Sequence, residues 1–481
     1  MIANSNYKYS VAAIFAVALV MDLLDMTMLN VALPALAARF GASPATVSWV
    51  VTGYLLAIAV AIPIGGWACD RFGTKTSFLV ALITFTFASG MCSQAWSIET
   101  LILFRALQGL GGGLLSTTGM TLVFHAFPQS ERSRATTIVS LPALVAPASG
   151  PLLGGYLVQE HGWKWIFLVN VPIGAAAVLA SVLVMRNEKQ DATERLDVAG
   201  LVLSSIGLGS VTYALSVAGF LGVTAVPVMA SGALGILSLG AFVFVELRTA
   251  RPLIDLRLFR QRIFTTLNII QFLIQSSVVG TTFLIPLILQ DELRMSPEQS
   301  GLTTFPSAIG IVLTVPIAAK IYPRLGPRAL LLGGLSAFAA STLPLMMIDS
   351  STSQNVVRLI MLLRGMAFGV IHVPLQTATF ATISKSETSR ASAVFNGCRQ
   401  VAASFGVALV ATVLTTALAH AHATLGDLAT RDAAMVAFRE CFAVSTLVAA
   451  LGIGVAFLVR NEDAASTMRQ PAAVEEAAPA A

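Results

Sequence analysis

The sequence predicts an all-α polytopic membrane protein: two six-helix bundles with two further helices inserted between them, about fourteen spans in all. Three observations predict it. First, of 481 residues 56% are hydrophobic and only 11% are charged, with a mean hydropathy of +0.81; soluble domains carry about 25% charged residues. Second, apolar runs of about twenty residues, enough to cross a bilayer, recur along the chain. Third, two pairs of short motifs repeat at offsets of 253 and 259 residues.

The runs fall at 11–33, 47–68, 77–96, 100–122, 136–158, 165–185, 198–218, 224–245, 264–289, 300–322, 329–348, 356–382, 393–419 and 437–459. The first contains Asp22 and Asp25 and is too long for the apolar core of a signal peptide, so it reads as a span. An even number of spans puts both termini on one side. With that side cytoplasmic, the cytoplasmic segments hold 20 of the Lys and Arg residues and the outer segments hold 6. The positive-inside rule then sets both termini in the cytoplasm, with the chain in the inner membrane. The other three cations, Arg105, Arg364 and Arg399, lie within or at the edge of spans. All five tryptophans sit near span ends, where an aromatic belt belongs. The net charge of +5 thus reflects membrane orientation, and no basic stripe is large enough for nucleic acid. The four cysteines are scattered without a CxxC, which argues against a disulfide framework or a zinc site.

The repeated motifs divide the chain. DRFGTK at 70–75 leaves the second run and PRLGPR at 323–328 leaves the tenth; setting Gly73 on Gly326 pairs Arg71 with Arg324 and Lys75 with Arg328. ILFRALQGLG at 102–111 echoes MLLRGMAFGV at 361–370, which sets Arg105 on Arg364. The expected units are an N-terminal bundle (1–186), two inserted helices with a basic cytoplasmic segment (187–262), a C-terminal bundle (263–460) and a disordered cytoplasmic tail (461–481). The tail is rich in Ala, Pro and Glu and lacks periodicity. Parallel halves of this kind place a substrate site near the midplane and move by rocking one bundle on the other.

Three stretches carry the chemistry. In GGWACDRFGTK (65–75), Gly66 and Gly73 permit close helix approach and a tight turn. Asp70, Arg71 and Lys75 can pair with each other or with helix ends, latching one state; an ordinary positive-inside loop has the same composition. In LILFRALQGLGGG (101–113), Arg105 lies inside a span. A buried arginine cannot be neutralised and needs a carboxylate, a carbonyl or water; Asp22 and Asp25 are the deep carboxylates on offer, with purely local hydrogen bonding as the other reading. In PALVAPASGPLLGGYL (142–157), Gly150, Pro151, Gly154 and Gly155 make a flat face on a helix that its prolines should bend.

Asp22 and Asp25 themselves sit one turn apart on one helix face. Each costs about 2.5–3.5 kcal/mol at a bilayer centre. Carboxyls in low dielectric bind protons more readily, and a nearby arginine opposes this. These residues therefore read as alternately exposed proton carriers, or else as hydrogen-bonding residues of a wet cavity. Asn30, Gln108, Arg364 and His372 are candidate cavity residues.

These motifs resemble those of the major facilitator superfamily, in its fourteen-span drug:proton antiporter (EmrB/QacA-like) branch. GxxxDRxGxK at 66–75 resembles the superfamily's loop signature, and RxxQGxGxG at 105–113 its fourth-span signature, which the family links to proton coupling. GPxxGG at 150–155 is similar to the fifth-span signature of antiporters. LDxTxxNVALP at 24–34, WKWIFLVNVPIG at 163–174 and RQVAASFGVAL at 399–409 resemble features of the branch. Ala146 and Thr74 depart from residues usual in the family, and PRLGPR lacks the aspartate. The resemblance implies the major facilitator fold, alternating access and export of amphipathic, drug-like molecules against the proton gradient, with no other cofactor. Its implied partners are the small-molecule substrate and the lipid bilayer, and the sequence leaves open whether a periplasmic adaptor extends the path outward. The alternatives are a membrane sensor or binding protein without net transport, and an exporter of an endogenous metabolite. No nucleophile, base and orienter come together as in an enzyme, and no GxxxxGK[ST] marks an ATP site.

Overall fold

The computed structural model describes residues 2–127, 132–186, 197–222, 224–249, 256–349, 351–383 and 388–468, in places by backbone alone, and contains no strand among them. The N-terminal part is α1 (Ile2–Phe40), α2 (Pro44–Phe72), α3 (Thr74–Ser93), α4 (Ile98–Ala126), α5 (Arg132–His161), and the short α6 (Trp165–Leu168) leading into α7 (Asn170–Val184). Two helices follow, α8 (Val198–Leu221) and α9 (Val226–Arg248). The C-terminal part is α10 (Arg262–Leu287) with a π turn at Ile288–Glu292, α11 (Pro297–Thr304), α12 (Pro306–Thr342), α13 (Gln354–Ala378), α14 (Thr388–His420), α15 (Arg431–Ala456) and α16 (Ala465–Met468).

Helix starts follow local chemistry. Ser43 caps α2 by accepting from the Thr46 N–H, with Pro44 in the first turn, where its missing N–H costs nothing. Ser97 and Thr100 form a reciprocal capping box at α4. Each of the fourteen predicted runs falls on a helix. Eleven described helices are long and apolar enough to cross a membrane. One of them, Pro297–Met347, carries both the tenth and eleventh runs, because the chain turns at Gly326 (φ +74°) inside one hydrogen-bonded stretch. α5 and α8, which carry the fifth and seventh runs, are described in part by backbone alone and are not among the eleven.

Gly73 (φ +89°) makes the corresponding turn between α2 and α3. The two glycines aligned from the sequence repeat thus share a left-handed conformation that a side chain would strain.

Helix ends gather at two ends of the molecule. At the Gly41 end Phe40 packs on Trp163 and Arg294 donates to the Gly426 carbonyl. At the Gly73 end the Lys75 Nζ donates to the Val182 carbonyl at 2.8 Å and Arg262 to the Leu458 carbonyl at 3.0 Å. The apolar core is divided along this axis. The largest cluster joins the N-terminal helices to residues of the C-terminal part near the Gly41 end, including Phe283, Leu284, Val407, Leu414, Phe438 and Phe442. A second cluster, built on Leu267, Ile274, Tyr322, Leu335, Ile371 and Ala449, belongs to the C-terminal part alone.

The junction at the Gly41 end depends on small residues. A Cβ on Gly155 of α5 would lie 2.5 Å from the Pro297 carbonyl oxygen, and one on Gly301 of α11 would overlap the Pro151 carbonyl. The Gln290 side chain donates to the Val31 carbonyl of α1 at 2.8 Å. α8 lies against α2 and α14, with Trp49 beside Tyr213.

The tail expectation needs correction in part. Glu462–Ala464 and Ala465–Met468 are short helices, tied down where Asn461 accepts from the Arg328 N–H and Tyr322 bonds Thr467 at 2.7 Å. Residues 469–481, and 187–196 of the expected linker, lie outside the described residues.

Because the Gly155 and Gly301 contacts leave no room for a side chain, Gly301→Leu is expected to part the bundles at the Gly41 end. The distance between spin labels at Leu153 and Leu302, measured by electron-electron resonance, should lengthen; an unchanged distance contradicts the packing account.

Candidate functional site

Five helices bring polar side chains to one buried point inside the N-terminal part. α1 supplies Asp22 and Asp25, α2 Tyr54, α3 Ser89 and Cys92, α4 Arg105 and Gln108, and α7 Asn170. Spacings of three or four residues put each helix's contributors on one face. α4 is central because glycine lets its neighbours close on it. A Cβ on Gly111 would lie 2.6 Å from the Phe85 backbone nitrogen, and one on Gly113 would lie 2.7 Å from the Ile58 carbonyl oxygen. Gly112 leaves the space that Asp22 fills, since a Cβ there would lie 2.6 Å from Asp22 Oδ1 and 3.2 Å from the Tyr54 hydroxyl.

Arg105 is fully buried and Asp25 is 1% exposed. Arg105 Nη1 donates to Asp25 Oδ2 at 2.5 Å and to Gln108 Oε1 at 2.7 Å, and its Nε to the Val50 carbonyl at 3.3 Å. Its guanidinium lies 3.9 Å from the centroid of the Tyr54 ring, where the ring face attracts a cation. The other Asp25 oxygen accepts from Gln108 Nε2 at 2.9 Å and from Asn170 Nδ2 at 2.8 Å. Ser89 lies within 3.1 Å of the same Asn170 nitrogen and donates to the Phe167 carbonyl. Arg105 Nη2 has no partner. Asp22 stands apart from this ion pair: its Oδ1 accepts from the Tyr54 hydroxyl.

The structure therefore separates the two aspartates that the sequence placed together. Asp25 takes the arginine, and Asp22 takes a neutral donor. Gln108, expected in the cavity, is instead bonded into the ion-pair network. Asn30 is half-buried on α1. His372 is half-buried beside Phe368, whose ring centre is 6.0 Å away. Arg364 is buried on α13 with its guanidinium 4.7 Å from the Phe338 ring centre, and its Nε and Nη2 have no partner.

At the loop, Lys75 binds the last turn of α7, Arg71 is exposed and Gly73 donates its N–H to the Cys69 carbonyl. The surroundings of Gly66 and the side chain of Asp70 lie outside what the structure describes. α5 is one continuous helix whose small face meets two others. A Cβ on Gly150 would overlap the Thr27 hydroxyl, and one on Gly154 would lie 2.8 Å from Met28 Cα. Gly155 and Pro151 face α11 as described above.

Sequence reasoning missed Tyr54 and Ser89 as members of the site, and Asn170 as a ligand of Asp25. Asn170 lies in the WKWIFLVNVPIG motif, which offered a signal; Tyr54 sits in an ordinary apolar run and offered none.

Fold and site together define a multi-pass helical membrane protein in two parts, one of which buries a charged network at its centre. Residues 15–407 match the Major Facilitator Superfamily, and the chain belongs to that family. It is 34% identical over 408 residues to a multidrug resistance protein B homolog of Mycobacterium tuberculosis (strain ATCC 25618 / H37Rv), covering 84% of this chain and 76% of that one. It is 31% identical over 424 residues to an uncharacterised MFS-type transporter, YhcA, of Bacillus subtilis (strain 168), covering 88% and 80%. Among solved structures it is similar to a bacterial homologue of the human lysosomal transporter Spinster, in an inward-facing and unoccupied conformation. The TM-score is 0.69 at 17% identity, with 97% of this chain and 99% of that one covered.

Removing one partner of a buried ion pair leaves the other charge uncompensated and costs about 3–5 kcal/mol. Arg105→Gln should therefore lower the melting temperature sharply, and the Arg105→Gln/Asp25→Asn double variant should recover much of the loss. Additive losses in thermal denaturation of the detergent-solubilised protein would contradict the pairing. Tyr54→Phe, which strips Asp22 of its donor, should cost about 1–3 kcal/mol in the same assay.

Proposed function

We propose that the chain is a proton-coupled antiporter that exports amphipathic, drug-like molecules across the inner membrane by alternating access, with both termini in the cytoplasm. The observation that carries this reading is the buried Asp25–Arg105–Gln108–Asn170 network with Asp22 beside it. Acids at this depth persist where they serve a proton or ion pathway. The names of the relatives that include multidrug resistance proteins support the class of cargo. The excess of cations at the Gly73 end supports the orientation.

The two carboxyls have different tasks in this reading. Asp22 is held by a hydroxyl, which accepts as readily as it donates, so Asp22 can gain a proton without leaving its partner. Asp25 accepts three charge-assisted or amide hydrogen bonds, from Arg105, Gln108 and Asn170, so its proton arrives only when Arg105 moves away. A proton on Asp22 weakens the field that holds Arg105, and so links proton entry to rearrangement of the network. The network ties α1, α4 and α7 together, so its rearrangement shifts helices against one another. Each proton moving inward supplies about 2.3 kcal/mol per 100 mV, plus the contribution of the pH gradient.

The shared apolar core at the Gly41 end and the separate core at the Gly73 end support a state closed at the outer face. Lys75, bound to the end of α7, ties α3 to α7 at the inner face. α5, with its small face against α1 and α11, is the surface on which the two bundles slide.

The test uses reconstituted protein with ethidium as cargo and a pH dye inside the vesicles. Asp25→Asn should abolish the proton flux that cargo addition drives, by about tenfold or more, the loss expected when a proton-transferring group is removed. It should leave downhill exchange of ethidium intact. Undiminished proton flux in that variant removes Asp25 from the role.

A further inference from the structure

The two halves of the molecule treat their buried arginines differently. In the N-terminal part Arg105 meets Asp25. Its counterpart in the repeat, Arg364, is 6% exposed and has two nitrogens, Nε and Nη2, without any hydrogen-bond partner. No acid among the described residues reaches it. The sequence explains why. Helices α10, α12, α13 and α14 contain no Asp or Glu at all, yet they carry Arg364, Arg399 and His372 within their lengths. The positions on α10 that correspond to Asp22 and Asp25 are close to Ile274 and Ser277, and Ser277 donates to the Ser445 carbonyl instead. Arg399 on α14 lies within electrostatic reach of His372 and adds positive potential.

At about 1.5 Å rise per residue, Arg364 lies close to the middle of α13, near bilayer mid-depth. A guanidinium there cannot shed its proton, and leaving its donors unpaired costs several kcal/mol. Phe338 covers one face of the guanidinium and leaves its edge, which carries the hydrogen-bond donors, unpartnered. Among the described residues, the C-terminal bundle supplies no counter-charge.

We propose that Arg364 is an anion subsite: it receives an organic anionic group, such as a carboxylate, sulfonate or phenolate, on the amphipathic cargo. The inference rests on the reading of the chain as an exporter and names a chemical class within it. The two bundles then divide the labour. The N-terminal one handles protons with its own balanced charges, and the C-terminal one takes a negative charge from outside the protein. Arginine suits this task because its planar fork pairs with two oxygens at once.

The test measures equilibrium binding to full-length protein in phosphatidylcholine nanodiscs, which excludes anionic lipid. Its probes are two xanthene dyes of similar shape, anionic fluorescein and cationic rhodamine 6G, followed by fluorescence anisotropy. Arg364→Gln should weaken fluorescein about tenfold or more, the loss of one charge-assisted hydrogen bond, while rhodamine 6G stays within about twofold as a control for folding. Arg364→Lys, which keeps the charge but loses the fork, should bind fluorescein more weakly than the wild type and more tightly than Arg364→Gln. The proposal is overturned by unchanged fluorescein binding in Arg364→Gln, by equal losses for both dyes, or by wild-type protein that does not bind fluorescein. Displacement of fluorescein from the wild type by chloride, but not by gluconate, would give the site to an inorganic anion and also overturn it. Binding requires no proton gradient, so the outcome is read independently of the vesicle experiment.

Discussion

The buried pair of Asp25 and Arg105 is the interaction on which the rest of the N-terminal bundle depends. Either charge alone at that depth carries a large desolvation cost. The idealised cost of desolvating a carboxylate or guanidinium is of order 20 kcal/mol, and several kcal/mol remain after relaxation. The protein offsets that cost with a short ion pair, two amide donors on the free carboxylate oxygen, a backbone carbonyl and the face of Tyr54. Such crowding requires the surrounding helices to approach closely. The run of glycines on α4 exists at the same level of the bundle, where Phe85, Ile58 and Asp22 occupy the space that side chains would take. Charge and close packing are therefore one design: the glycines admit the helices that carry the partners.

The division between the halves follows from where charge is balanced. The N-terminal bundle contains its own acids and its own base. The C-terminal bundle buries Arg364 on a helix that lacks acids. The apolar core is likewise uneven, continuous between the halves near Gly41 and separate near Gly73. An apolar core shared between the bundles at one end and separate at the other suits a pivot at the shared end. Glycine at 155 and 301 keeps that joint tight without bulky interdigitation, which would resist separation.

Much of this was legible in the sequence, because the membrane imposes strong rules. Twenty-residue apolar runs located the helices, and intramembrane charges stood out against them. Electrostatics called for a carboxylate, a carbonyl or water beside Arg105, and Asp22 and Asp25 were the deep carboxylates on offer. Which of the two it would be depended on the rotation of α1 relative to α4, and no pattern within a uniformly apolar helix reports that rotation. Tyr54 was hidden for the same reason: a tyrosine in a greasy run looks the same facing lipid, an aromatic belt or an aspartate. Gly73 and Gly326 were paired by a short motif, and their shared backbone conformation shows why glycine stands at both. The tail was misjudged between Asn461 and Met468 because its anchors are scattered, with polar contacts from Asn461, Ser466 and Thr467 and apolar burial of only Ala464 and Met468, too few for an apolar periodicity.

The central claim is that the carboxyls of α1 carry the protons that cargo movement exchanges. The measurement that tests it most directly is proton release on cargo binding, followed with a pH indicator in weakly buffered detergent solution at acidic pH, with no membrane and no gradient. The account predicts release stoichiometric with protein in the wild type, and none in the Asp22→Asn/Asp25→Asn double variant while it still binds cargo. Equal release from both proteins would contradict it.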